Sequence, residues 1–168
     1  RRSSDLWVRN PEIAGLETCR ELGIAFVAFS PVGRGYFGDW IKSADYRDGD
    51  IRTLFPRFQE PHLSRNLALL DPFRDIAREL NISCAQLAIA WTLARAPHII
   101  ALPGTVNAAH LAEDLEAAKI VLSEEVVAAI DAIFTPDAVS GTRYPPSLQA
   151  TVSTEMFEDE QAQLAPTG

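Results

Sequence analysis

Cysteine is nearly missing from this sequence: Cys19 and Cys84 are the only two, far apart and without a C-x-x-C spacing. That spacing offers no disulfide framework and no thiolate metal cluster. Both fall at apolar positions of predicted helices, where a reduced thiol behaves as a small hydrophobe. Histidine is equally sparse, with His62, His98 and His110 scattered at no metal-ligand spacing, so no metal is assigned. Long hydrophobic runs are absent too. None approaches the ~18–20 residues that span a bilayer, and no amino-terminal signal pattern is visible. The expectation is a cytoplasmic protein with no membrane partner. Basic residues are in deficit, 15 against 23 acidic, for a formal charge of −8. This argues against a nucleic-acid partner, while a small anionic ligand remains open because a pocket needs only local positive potential. Methionine occurs once, at Met156, and the chain opens on Arg1, which reads as a piece of a longer chain or a processed product.

What is present is an ordinary globular composition, 47% apolar and 23% charged over 168 residues, enough for about one domain. In residues 12–22, Ile13, Leu16, Cys19 and Leu22 recur every third position, the pattern of one helical face, and Gly23 supplies the stop. "IAFVAF" (24–29) is short and continuously apolar, as in a strand buried on both faces. From Ser30 to about Leu63 no period is sustained. The aromatics Tyr36, Phe37, Trp40, Tyr46, Phe55 and Phe58 argue against simple disorder there. Leu67, Leu70, Phe73, Ile76 and Leu80 mark a helix. "SCAQ" (83–86) is a capping box opening another, with Trp91 on its core face. A second buried strand, Ile99 to Leu102, ends in Pro-Gly-Thr. Helices follow from about Ala108 to Ala118 and behind Ser123, an N-cap with Glu124 and Glu125 in the first turn. From Thr135 onward the composition predicts a loosely ordered tail, which divides the chain into 1–134 and 135–168. The order is an α/β alternation with two clear parallel strands and five or six helices.

The stretch "SPVGRGYFGDW" (30–40) carries Gly33, Gly35 and Gly38 at the spacing G-x-G-x-x-G. A dinucleotide-binding βαβ turn needs its first glycine directly after the strand and a helix opening on the third. Here Ser30, Pro31 and Val32 intervene, and "DWIKSADYRDGD" shows no helical face. That makes Gly38 the misleading member of the triplet. A plain turn using positive φ is the other reading of the residues alone.

Several segments together resemble a known family. "GIAFVAFSPVGRGYF", "DGDIRTLFPRF", "RNLALLDPFRDIARELNISCAQLAIAWTLA", "IIALPGT" and "HLAEDLEAAKIVLSEEVVAAID" stand in the order and spacing of the carboxy-terminal half of aldo-keto reductases. The resemblance covers about residues 5 to 134, and "GTRYPP" (141–146) continues it. It implies the carboxy-terminal portion of a (β/α)8 TIM barrel, the two strands being barrel strands seven and eight, whose following loops commonly form phosphate sites. It also implies an NADP cofactor and a small-molecule carbonyl substrate of the full-length parent. By this resemblance Ser30, Val32, Gly33 and Gly35 contact the cofactor pyrophosphate. Gly104, Thr105, Asn107, Glu113 and Asp114 take the adenosine end, and Trp7 stands where the family often stacks an aromatic on nicotinamide.

Four positions depart from the family pattern. Val106 and Asn107 stand where a cationic clamp for a 2′-phosphate is usual, Asp114 replaces an asparagine, and Asp39 puts a carboxylate after Gly38. The catalytic acid, tyrosine, lysine and histidine of the family come from earlier barrel strands. Neither Lys42 nor Lys119, and none of Tyr36, Tyr46 and Tyr144, falls at those positions, so no catalytic residue is assigned. Two functions are therefore expected in contrast. One is the carboxy-terminal part of an NADPH-dependent carbonyl reductase, inactive by itself. The other is a non-catalytic, degenerate cofactor-binding or protein-interaction module. Strands seven and eight alone leave open edges and uncovered apolar faces, so self-association of a truncated barrel is expected.

Overall fold

The computed structural model describes residues 2–3, 5–149, 151 and 155–158. The two apolar runs are strands: β2 is Phe26–Phe29 and β3 is Ile99–Leu102. They pair in parallel with Phe26 opposite Ile99 and Phe29 opposite Leu102. A third strand, β1 (Arg2–Ser3), lies parallel along the other side of β2, giving the order β1-β2-β3. Two residues are too few for an alternation or an apolar run, so the sequence carries no signal for it.

Burial on both faces fails at β3. Ile99 is buried, but Ile100 is 54% and Leu102 43% exposed. Parallel strands are sealed only when both faces carry a layer. In this three-stranded sheet Phe26, Ala28 and Ile99 pack with Leu16, Cys19 and Ala96, and the face bearing Ile100 and Leu102 stays open. The uncovered apolar surface expected of an incomplete barrel is therefore present.

Helix α1 (Gly15–Glu21) follows a 3-10 turn at Asn10–Glu12 and gives way to Gly23, whose φ of +65° suits glycine. Its predicted stripe is half used, because Ile13 and Leu22 remain exposed. The single helix expected across 67–80 is two, α2 (His62–Ala68) and α3 (Leu70–Glu79). Pro72 in the first turn of α3 has no N–H to continue the ladder from α2. Helix α4 (Cys84–Ala94) begins with the full capping box: Ser83 accepts from the Gln86 N–H at 3.1 Å and Gln86 returns the bond at 3.1 Å. Helix α5 (Ala108–Glu116), α6 (Glu124–Ile133, capped by Ser123) and the one-turn α7 (Pro146–Gln149) complete seven α-helices among the described residues. No described helix is long and apolar enough to cross a membrane.

The main core is aromatic. The long connection after β2 folds down through 3-10 turns at Gly33–Gly38, Ile51–Leu54 and Pro56–Phe58. It delivers Tyr36, Phe37, Phe55 and Phe58 to Trp7, Phe73, Trp91 and Phe134. Trp91 is fully buried, as its helical face predicts. Its indole donates to Asp131 at 3.0 Å, and the guanidinium groups of Arg9 and Arg95 lie 5.6 and 5.1 Å from its ring.

The segment from residue 135 to 149 is better anchored than a tail. Asn66 and Ser140 exchange hydrogen bonds at 2.8 and 3.0 Å, and Arg57 donates to the Gly141 carbonyl at 3.0 Å. The rest of the predicted tail, residues 150, 152–154 and 159–168, lies outside the described residues.

Candidate functional site

The loops leaving the carboxy ends of β2 and β3 face each other across a cleft of about 1400 Å3. Parallel pairing forces this, because both strands must end on the same edge of the sheet. Of the ten residues singled out by sequence, eight line the cleft: Ser30, Val32, Gly35, Gly104, Thr105, Asn107, Glu113 and Asp114. The other two lie elsewhere. Gly33 is buried behind the loop. Trp7 is a core side chain, 5% exposed, with its ring centroid 3.8 Å from Tyr36 and 5.3 Å from Phe58. Neighbouring rings cover Trp7, and its side chain does not reach the cleft.

The glycine loop is a run of left-handed residues: Ser30 (φ +59°), Gly33 (+55°), Arg34 (+53°), Gly35 (+90°) and Asp39 (+59°). It is closed by its own backbone, Gly33 N–H to the Ser30 carbonyl at 2.9 Å and Gly35 N–H to Val32 at 3.0 Å. No α-helix opens at Gly38, as the spacing argument required. Yet Gly38 is not a bystander. A Cβ at Gly38 or at Gly35 would overlap the indole of Trp40, which lies across both. Trp40 in turn has the Arg52 guanidinium 4.5 Å from its ring. This use of the third glycine is not legible in the spacing of the glycines. The only sequence signal was the tryptophan two residues behind it.

Across the cleft, Asn107 caps α5 by accepting from Ala109 N–H at 2.8 Å, and its own N–H donates to the Thr105 hydroxyl at 3.1 Å. Val106 between them is fully exposed. Glu113 offers its carbonyl to the Gln86 side chain at 3.3 Å, which ties α5 to the start of α4. Asp114 is 8% exposed, and burial, reinforced by Glu113, pushes its carboxyl above the ordinary range. Among the described residues no cluster of three or more His, Cys, Asp or Glu is placed to hold a metal.

Asp39 is not a bare carboxylate facing the loop. Arg74 donates to it at 2.8 and 2.5 Å and Lys42 at 2.9 Å. The Arg74 guanidinium, helped by the Lys42 ammonium, holds its carboxyl below the usual range. A lowered folded-state value adds stability at pH above the unfolded-state value of about 3.9, and this is lost as pH falls through the folded value. Asp39 is about a third exposed, so screening limits the effect to roughly 1 kcal/mol at most. Asp39→Asn is expected to lower the urea midpoint at neutral pH and to flatten its decline below about pH 4. An unchanged acid limb would show the pair to be energetically silent.

The model of the aldo/keto reductase family matches residues 5–134. The chain is 37% identical over 142 residues to the aldo-keto reductase yakc [NADP(+)] of Schizosaccharomyces pombe, covering 84% of this chain and 42% of that protein. It is 36% identical over 137 residues to the aldo-keto reductase str7 of Strobilurus tenacellus, covering 81% and 41%. The glycerol dehydrogenase AKR11B4 of Gluconobacter oxydans shares the fold at a TM-score of 0.74 and 24% identity, over 85% of this chain and 45% of that one. The chain thus spans less than half the length of these relatives. The family match over most of the chain, and the barrel fold behind two adjoining strand-end loops, lead to one conclusion: the chain belongs to the aldo/keto reductase family.

Proposed function

We propose that this chain is the cofactor-holding part of an NADPH-dependent oxidoreductase that interconverts carbonyl and alcohol groups. The observation that carries the reading is the convergence of eight sequence-selected residues on one cleft between the loops after β2 and β3. The residues suit a dinucleotide. The Ser30 hydroxyl, bonded to no described residue, and the left-handed turn through Gly35 make one wall for a diphosphate. Gly104, Thr105 and Asn107 at the start of α5, with Glu113 and Asp114 one to two turns on, make the opposite wall for the adenosine end. When bound, NADPH supplies the hydride. The chain's own part is to grip and orient.

In this reading the proton donor is not one of the described tyrosines that pack inward. Tyr36 is sealed in the core, donating to the Asn66 carbonyl, and burial raises its pKa further. The Tyr144 ring is engaged by Phe55 and two arginines. The acid of the reaction comes, in this reading, from barrel strands outside the span.

The test is calorimetric titration of the purified chain with NADP+ and NAD+. Val106→Arg, at a fully exposed position beside the α5 cap, is expected to tighten NADP+ about tenfold and to leave NAD+ unchanged. Absence of binding by either nucleotide would sink the reading. A second reading, pairing of two copies through the open sheet face, is favoured by exposed Ile100 and Leu102. Sedimentation that depends on protein concentration would support it, and a monomer throughout would remove it.

A further inference from the structure

We infer that Asp114 makes the α5 side of the cleft a receptor for a neutral, hydrogen-donating nucleoside end, so that a nucleotide lacking a 2′-phosphate binds at least as tightly as one carrying it. This rests on the cleft being the dinucleotide site proposed above, and widens its cofactor to include NAD(H).

Helix α5 is turned against its own polarity. Leu111 and Leu115, one turn apart on the same face, are exposed, whereas the carboxylate residue Asp114 is 8% exposed. Its side chain makes no hydrogen bond and no ion pair with a described residue. An ionised carboxylate drawn out of water without a partner is costly. Burial and the neighbouring charge of Glu113 raise its pKa accordingly, and the opposing influence is that of His110. Asp114 lines the cleft, where the N–H or O–H groups of a ligand supply the missing donors.

The cleft is electrostatically two-sided. Its β2 side carries Arg34 and, paired with Asp39, Arg74. Its α5 side carries Glu113 and Asp114, with His110 the one lining side chain of α5 able to hold positive charge. Val106, just before the helix, is apolar and fully exposed, and Asn107 uses its side-chain oxygen to cap α5. The cations that α3 adds to the lining are engaged, Arg74 by Asp39 and Asp71, Arg78 by Asp75. A diphosphate therefore meets positive charge at the β2 side. A further phosphate at the α5 side meets two carboxylates, with no guanidinium or ammonium on that helix to offset them. A ribose diol or an amino group brings instead the donors that Asp114 lacks. NAD(H) satisfies both sides of the cleft, and the 2′-phosphate of NADP(H) opposes one of them.

The experiment is calorimetric titration of the purified 168-residue protein with NAD+, NADP+, AMP and adenosine 2′,5′-bisphosphate, the last two differing only in the 2′-phosphate. The parent is expected to bind NAD+ at least as tightly as NADP+, and AMP at least as tightly as the bisphosphate. Asp114→Asn, which keeps an acceptor and removes the charge, shifts the ratio of affinities about tenfold toward NADP+. Asp114→Leu, which removes the acceptor, weakens NAD+ about tenfold. Both variants relieve a buried, unpaired charge, so a urea midpoint at neutral pH no lower than the parent's shows that they fold. Glu116→Gln, on the exposed side of α5, leaves every affinity unchanged. NADP+ bound more tightly than NAD+ by the parent overturns the inference and leaves the cofactor reading standing. A ratio that Asp114→Asn does not move has the same consequence. Arg78→Gln that weakens NADP+ and spares NAD+ also overturns it, by placing the phosphate on α3. AMP bound without either dinucleotide removes the cofactor reading and leaves the nucleoside receptor standing, and binding of none of the four removes both.

Discussion

Phe37→Ala is expected to lower the unfolding free energy by about 3–5 kcal/mol, read as a shift of the urea midpoint at unchanged slope. Phe37 is fully buried at the hub of the aromatic core. Its ring meets Tyr36 edge-on at 4.8 Å, Phe73 and Phe134 at 5.4 Å each, and Trp7 at 6.1 Å. Truncation removes the ring's transfer free energy and leaves a cavity that four rigid neighbours cannot close. Domains of this size hold about 5–15 kcal/mol in total, so the loss is a large share. The change also reaches the site. Phe37 backs the glycine loop so closely that a Cβ on Gly33 would come within 3.0 Å of its ring. Nucleotide binding should weaken in the fraction that stays folded. Phe37→Leu, which refills most of the volume, should cost about 1–1.5 kcal/mol. Equal effects of the two variants would show that the ring does not organise this core.

Asp131→Ala carries the second-largest expected effect, about 2–4 kcal/mol by the same measurement. One oxygen of Asp131 accepts from the Trp91 indole at 3.0 Å and lies 3.4 Å from Arg9. The other accepts from Arg95 at 2.8 Å. Glu12 closes the network, bonded to Arg9 at 2.8 Å and to Arg95 at 3.0 Å. This cluster joins the turn before α1 to α4 and α6. Removing the carboxylate strands a buried indole N–H and leaves two guanidinium groups sharing Glu12. Asp131 is 28% exposed, so the ion pairs are partly screened and the indole bond is not. Asp131→Asn keeps an acceptor for Trp91 and should cost about 1 kcal/mol, much of it erased by high salt. An alanine variant as mild as the asparagine one would show the indole bond to be unimportant.

Where a feature depends on near neighbours in the chain, the residues announce it. The Ser83–Gln86 capping box, the Ser123 cap, the stop at Gly23 and the Trp91 face of α4 all rest on spacings of three or four residues. The two apolar runs announce β2 and β3 because four successive hydrophobic residues have few other destinations in water. Pro72 was visible as well, yet its consequence, a break between α2 and α3, depends on how the preceding turn packs.

Features built by distant partners are another matter. Trp7 reads as a terminal hydrophobe or a cofactor stack, and only the arrival of Tyr36 and Phe58 from the loop decides that it is core. Asp39 reads as a charge opposed to phosphate until Arg74, 35 residues away, neutralises it. Gly38 reads as a coincidence until the Trp40 ring folds back over it. The meeting of Arg34 and Arg143 over the Tyr144 ring has no sequence signature, since 109 positions of chain separate the two arginines. By itself the sequence determined the local elements and, through the order of its motifs, the family. Only the tertiary structure decided which side of the sheet is sealed, which aromatics are core and which charges meet around the buried Asp5 carboxylate. Local order follows from backbone hydrogen bonding and hydrophobic period, whereas burial and electrostatic pairing are set by residues that meet only when the chain closes on itself.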